Sequence, residues 1–67
     1  MRITRRSAYS GIVRTMELNV KEWQIAKWEN GALIQDAMPQ LTLAEREFIT
    51  TGITEDEWAE IFSNEEE

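Results

Sequence analysis

No cysteine and no histidine occur anywhere in this chain of 67 residues. A disulfide therefore cannot support the fold, and a structural zinc site, which is built from cysteine and histidine, is excluded. A chain of this length lies near the lower size limit for folding on a hydrophobic core alone. We expect a single small domain, residues 1–67, for which self-association would add buried surface. The acidic end, residues 63–67, is expected to fray.

A β-hairpin is predicted at the start of the chain. In residues 12–20 apolar and polar side chains alternate, with Arg14 as the one interruption of the apolar face, and this alternation is typical of a half-buried strand. A weaker alternation upstream and a Ser-Gly turn predict that residues 2–7 pair with residues 12–18. Because a two-stranded sheet is marginal alone, strand edges are expected to pair across a dimer.

Helical signals follow the hairpin. Residues 20–30 predict a helix with Asn19 as its cap and Gly31 as its end, and a short helix is predicted over residues 32–38 before Pro39. Two Thr-x-x-Glu signatures then occur, one on either side of a glycine: Thr42 to Glu45, Gly52, and Thr54 to Glu57. Each signature is a capping box, in which the threonine and the glutamate satisfy the free backbone groups at a helix start.

The fold class predicted from these elements is α+β, with an N-terminal β-hairpin followed by three to four short helices packed on one sheet face. The strand side chains expected in the core are Ile12, Met16 and Leu18. The expected helix and loop contributors are Ile25, Trp28, Leu33, Phe48, Ile49, Ile53, Trp58, Ile61 and Phe62.

Charge is distributed unevenly along the chain. The net charge is −6, but residues 1–27 carry an excess of bases while residues 28–67 contain eleven acids and one base, Arg46. The basic segment, residues 1–27, could contact phosphate, and the acidic segment, residues 28–67, could bind a basic protein surface. The opposed charges also favour attraction between the two ends of the chain or between neighbouring copies.

Enzymatic chemistry has little support. Without histidine or cysteine, no nucleophile stands beside a base at a recognisable spacing, and the carboxylates are found at capping or solvated positions. We therefore predict no catalytic residues, no cofactor and no metal ligands. No apolar run approaches the roughly 20 residues that span a bilayer, and no signal peptide is visible, so a cytoplasmic protein without membrane contact is expected.

The segments "SGIVRTMEL" and "ENGALIQDAMPQLTLAEREFITTGITEDEW", the second preceded by Trp28, share their order and spacing with a known pattern. The chain resembles a family of very small, largely uncharacterised bacteriophage and prophage proteins with the pattern S-G-x-x-R-T, W-x-x-G-x-L-I-Q and R-E-F-I-x-T-G-I-T-x-x-E-W. The match covers residues 10–58, although Met38 replaces an expected aromatic residue and Trp23 is additional. The resemblance implies action in the host bacterial cytoplasm and brings no known activity.

The leading hypothesis is a non-catalytic phage accessory protein that binds a host or viral protein, as an inhibitor or modulator of host machinery. Three tryptophans are many for so small a core, and tryptophan and arginine are favoured interface anchors. The partner-binding candidates are Trp23, Arg46, Trp58, Glu55 and Asp56. For Arg46 the alternative is a structural ion pair with Glu45, Glu47 or Asp36, and for the tryptophans the alternative is the core.

The second hypothesis is a small DNA- or RNA-binding regulator that uses the N-terminal hairpin. Its candidates are Arg2, Arg5, Arg6, Tyr9 and Arg14, because a basic two-stranded ribbon can enter a major groove and a tyrosine can stack on a base. The overall negative charge opposes this hypothesis. A third hypothesis is a structural, virion-associated role.

Overall fold

The computed structural model describes residues 1–65, with side chains for residues 1–63. Two strands and four helices lie in this range: β1 (Arg2–Arg6), β2 (Val13–Glu17), α1 (Glu22–Glu29), α2 (Ile34–Ala37), α3 (Leu43–Thr51) and α4 (Glu55–Glu65). The predicted α+β class, with an antiparallel hairpin followed by helices, is confirmed. Of the tail that was expected to fray, residues 63–65 continue α4, and residues 66–67 lie outside the described range.

The hairpin has one buried face and one exposed face. β1 and β2 pair in the register Thr4 to Thr15, whose hydroxyl oxygens lie 2.7 Å apart on the exposed face. Ile3 and Leu18 are buried on the opposite face. This alternation matches the predicted strand pattern, and it directs the helices to a single side of the sheet.

Helix α1 begins later than the sequence indicated. The predicted cap at Asn19 is wrong, because Lys21 is the N-cap and the side-chain oxygen of Gln24 accepts a hydrogen bond from the Lys21 backbone N–H at 2.9 Å. Val20 is buried in the core and precedes the helix, which begins at Glu22. The predicted end is confirmed, since Gly31 follows the last turn with a φ of 112°.

Both predicted capping boxes are present. In α3, Glu45 accepts from the Thr42 backbone N–H at 2.8 Å and the Thr42 hydroxyl accepts from the Glu45 N–H at 3.2 Å. In α4, Thr54 and Glu57 make the same reciprocal pair at 3.1 and 3.3 Å. These boxes fix where the last two helices begin, and local sequence is sufficient to specify them.

The core lies between the hairpin and helices α1 to α3. Its buried residues are Ile3, Leu18, Val20, Ala37, Met38, Leu41, Phe48 and Ile49, with Met16, Ile25, Trp28, Ala32 and Ile34 packed against them. Ile53 is also buried, as predicted. The sequence did not indicate Met38 or Leu41, because both lie in the turn after α2, where no periodic pattern marks the inward side chains.

Several residues predicted for the core are outside it. Ile12 precedes β2 and is 51% exposed, and Leu33 is the exposed N-cap of α2 rather than part of its inner face. On α4, Trp58 and Ile61 are only half-buried and Phe62 is exposed. The core predictions for these three residues are wrong because α4 contacts the rest of the protein mainly through its first turn.

Candidate functional site

The first turn of α4 is attached to the hairpin through one carboxylate. Glu57, of which only 5% is exposed, accepts hydrogen bonds from the hydroxyls of Ser7 and Ser10 at 2.7 and 2.5 Å. It also accepts from Arg14 Nη1 at 2.9 Å, in addition to its bond with the Thr54 backbone. We call this group the Glu57 cluster. It joins the hairpin turn to α4 across more than forty residues of sequence.

The donors around Glu57 hold it in the ionised form. The Ser10 hydroxyl contributes most, and together with the Ser7 hydroxyl, the Thr54 N–H and Arg14 it outweighs the opposing effect of burial, so that the pKa of Glu57 falls from 4.5 to about 2. A carboxylate that stays charged and already has four donors is poorly suited to accept a substrate proton. The cluster therefore serves to position α4.

The end of α3 is fixed to the other strand of the hairpin. Arg5 Nε donates to the Ile49 carbonyl at 3.0 Å. Gly52 then takes a left-handed φ of 75°, and a Cβ at this position would overlap the Arg6 backbone and lie 2.9 Å from the backbone nitrogen of Ser7. The hairpin is thus held by α3 at β1 and by α4 at its turn, which sets how α3 and α4 face each other.

An open groove of about 450 Å³ lies between these two helices. We call it the α3–α4 groove, and it is lined by Leu43, Ala44, Glu47, Glu55, Trp58 and Phe62. Leu43 is 70% exposed and Phe62 is 56% exposed, while Trp58 and Phe62 stack with ring centres 5.7 Å apart. The groove therefore combines exposed large apolar side chains with two glutamates at its rim.

The side chain of Trp58 is half-buried, and its indole N–H is unpaired within the described part of the chain. Its Nε1–H is shielded from solvent and has no acceptor among the residues that the structure describes. A buried donor without an acceptor costs free energy, and most buried polar groups in folded proteins are paired. Trp58 is half-buried and lies outside the core cluster, although core packing was the alternative for it.

The predicted partner-binding residues are divided between several places. Trp58 and Glu55 meet in the α3–α4 groove, and Asp56 lines the adjoining surface beside Met16. Trp23 is 62% exposed but lies on α1, outside this groove. The exposure of Phe62 was missed from the sequence, which assigned this residue to the core. The exposure of Leu43 agrees with helical periodicity, which places it with Glu47 and Thr50 on the side of α3 opposite Phe48 and Ile49.

Arg46 has a structural contact that the sequence did not predict. Its Nε and Nη2 donate to the Leu41 carbonyl at 3.2 and 3.0 Å. The expected ion pair with Glu45, Glu47 or Asp36 is not formed among the described residues, where the side-chain ion pair is that of Arg14 with Glu57. Arg46 therefore stabilises the turn before α3 by satisfying a backbone carbonyl.

The predicted nucleic-acid-binding residues do not form one surface. Arg5 and Arg14 project from the inner side of the hairpin and are bonded to the Ile49 carbonyl and to Glu57. Arg2, Arg6 and Tyr9 are exposed. The alternation of side chains along β1 and β2 explains this division. Arg14 interrupts the apolar face of β2, and its carboxylate partner Glu57 was not predicted from the sequence.

Two other kinds of feature are absent from residues 1–65. No group of three carboxylates in this part of the chain is arranged to hold a metal ion. No helix there is both long and apolar enough to cross a membrane.

Comparison with known proteins gave no relative. No family model matches the chain, no curated protein matches it, and no solved structure matches it.

Proposed function

We propose that this protein is a small, non-catalytic binding module that holds a protein partner in the α3–α4 groove. The observation that carries the proposal is the exposure of Leu43 and Phe62 beside Trp58 in one groove. Large apolar side chains that cluster on the surface of a small protein are typical of interaction sites, and tryptophan is a favoured anchor.

The charge around the groove supports a partner with a basic surface. Glu47 and Glu55 stand at the rim of the groove, and Asp56 directly follows Glu55 in the chain. Residues 28–67 as a whole contain eleven acids and a single base. Like charges across an interface are unfavourable, so a second acidic groove is a poor occupant. The complementary occupant is an amphipathic helix whose apolar side chains are flanked by lysine or arginine.

The sequence pattern supports a biological setting for this module. Its resemblance to small phage and prophage proteins favours an accessory protein acting in the bacterial cytoplasm, where a basic, apolar segment of a host or viral protein would be the target. Occupation of such a segment would inhibit or modulate the target without chemistry by this chain.

A direct binding experiment tests the groove. The probe is a labelled amphipathic peptide of leucine and lysine at helical spacing, compared by fluorescence anisotropy with the same peptide carrying glutamate in place of lysine. We expect the lysine peptide alone to bind. Phe62→Ser should weaken binding at least tenfold, about 1.4 kcal/mol, because it removes a large apolar contact.

The matched control is Trp23→Ser, which removes an equally exposed aromatic side chain from α1 rather than from the groove. This variant should bind as the wild type does. Equal weakening by both variants, or equal binding of both peptides, would refute the proposal. In bacterial lysate treated with nuclease, the natural partner is the protein retained by the wild type and Trp23→Ser and lost with Phe62→Ser.

A further inference from the structure

The two edges of the hairpin differ in how they are covered. The edge of β1 faces the end of α3, where the backbone of Gly52 lies against Arg6 and the Ile49 carbonyl accepts from Arg5. Among residues 1–65, no backbone group is hydrogen-bonded to the outer edge of β2. Since a two-stranded sheet is marginal by itself, the state of this second edge bears on how the protein exists in solution.

The hydrogen-bond pattern identifies the free groups on β2. Leu18 N–H donates to the Met1 carbonyl and Ser7 N–H donates to the Ile12 carbonyl, both at 2.9 Å. In an antiparallel pair bonded and non-bonded positions alternate, so the backbone groups of residues 13, 15 and 17 point away from β1. No described residue bonds to these groups.

Several common protections against strand pairing are missing from this edge, although it carries one exposed charge, that of Glu17. It contains no proline or lysine, and β2 pairs with β1 without a bulge. An inward-pointing charge can also protect an edge, but the charge of Arg14 is bonded to Glu57. Val13 is 55% exposed at the start of the strand. The edge is therefore competent to accept another strand.

We propose that β2 pairs with β2 of a second copy of this chain, antiparallel and centred on Thr15, to form a four-stranded sheet. In this register the free backbone groups of residues 13, 15 and 17 all bond to the partner strand. Val13 of one chain then lies opposite Glu17 of the other, and Arg14 lies opposite Met16. No like charges face each other.

A register centred on Arg14 is less favourable. Centring the pair on Arg14 would place the two arginines opposite each other with Cα atoms about 4.5 Å apart and would leave more of each strand unpaired. Of these two registers, the one centred on Thr15 keeps like charges apart and pairs the whole five-residue strand. This dimer uses neither Phe62 nor Leu43, so it is independent of the proposed function of the α3–α4 groove.

The absence of cysteine from the chain allows a clean crosslinking test. Thr15→Cys places two thiols at the symmetry axis, where Cα atoms about 5.5 Å apart permit a disulfide. Thr4→Cys is the matched control, because Thr4 bonds to Thr15 on the same exposed face but would lie about 14 Å from its symmetry mate, three strand spacings away. Under mild oxidation we expect covalent dimers from Thr15→Cys and monomers from Thr4→Cys.

Sedimentation equilibrium tests the same contact without a crosslink. The wild type should pass from monomer to dimer as its concentration rises from micromolar to millimolar. Thr15→Pro should remain monomeric, because it removes an outward N–H that β1 does not use, whereas Thr15→Ala keeps that N–H and should still dimerise. If Thr15→Pro loses its circular dichroism spectrum, Thr15→Lys replaces it, since it places like charges at the axis.

A wild type that is monomeric throughout this range would overturn the proposal. Equal crosslinking of both cysteine variants would do the same. A dimer that survives Thr15→Pro but is lost in Phe62→Ser would also overturn it, because it would assign self-association to the α3–α4 groove.

Discussion

At the scale of single residues, Glu57 combines a local and a distant role. The Thr54–Glu57 signature marks a helix start, as does Thr42–Glu45, and both boxes form in the same way. Only Glu57 also receives hydrogen bonds from Ser7, Ser10 and Arg14. The first Thr-x-x-Glu motif therefore caps a helix, whereas the second caps a helix and also connects that helix to the hairpin.

This difference gives a prediction for two matched substitutions. Glu57→Gln should lower the free energy of unfolding clearly more than Glu45→Gln, because it leaves Arg14 facing a neutral amide, whereas Glu45→Gln retains the cap acceptor. Urea denaturation at neutral pH measures both values. Equal losses would show that Glu57 acts only as a cap.

The difference in unfolding free energy between the wild type and Glu57→Gln should depend on pH, because the pKa of Glu57 differs between the folded and unfolded chain. Since the pKa of Glu57 is lowered from 4.5 to about 2 on folding, the unfolded chain binds the proton more readily, and the contribution of Glu57 is complete above pH 4.5. It is lost as the pH falls from 4.5 towards 2. The stability difference between wild type and Glu57→Gln should therefore shrink over that interval, and a constant difference would contradict the assignment.

At the scale of elements, the junction between α3 and β1 depends on Gly52. Its φ of 75° disfavours other residues, and a Cβ at this position would also overlap the backbone of Arg6 and Ser7. Gly11 has a φ of 76° but no atom near the site of a Cβ. The two glycines therefore share a backbone conformation and differ in surroundings.

Alanine substitution separates these two effects. Gly11→Ala should cost about 1–2 kcal/mol of unfolding free energy, the usual penalty of a left-handed non-glycine residue. Gly52→Ala should cost about 1–3 kcal/mol more, because the new methyl group forces the backbones apart. Thermal or chemical denaturation measures both, and equal costs would mean that the close approach is not essential.

At the scale of the whole molecule, charge opposes binding to nucleic acid. The net charge is −6, and Arg5 and Arg14 of the four hairpin arginines are engaged in internal side-chain hydrogen bonds, whereas Arg2 and Arg6 make none with the residues that the structure describes. Too few cations remain on one face to displace many counterions from a duplex.

We therefore expect no retardation of duplex DNA by the wild type at low salt in a gel-shift experiment. The informative control is the double variant Arg2→Ala with Arg6→Ala, which should behave identically. Binding that falls steeply with added salt and disappears in the double variant would reverse this expectation and favour the hairpin as a nucleic-acid-binding site.

The amino-acid sequence by itself determined the elements of this protein. Alternation placed the hairpin, and the two Thr-x-x-Glu boxes with Gly52 between them placed α3 and α4, because caps and turns depend on residues only a few positions apart. The absence of cysteine and histidine excluded disulfides and structural zinc in the same direct way.

Only the tertiary structure decided which side chains of different elements contact each other and which stay exposed. Arg14 interrupts an apolar face because Glu57, far along the chain, is its partner. Phe62 and Leu43 are exposed because α4 is anchored at its first turn and leaves an open groove beside α3. Periodicity identifies the apolar side of a helix, but whether another element covers that side depends on long-range packing, which local pattern does not encode.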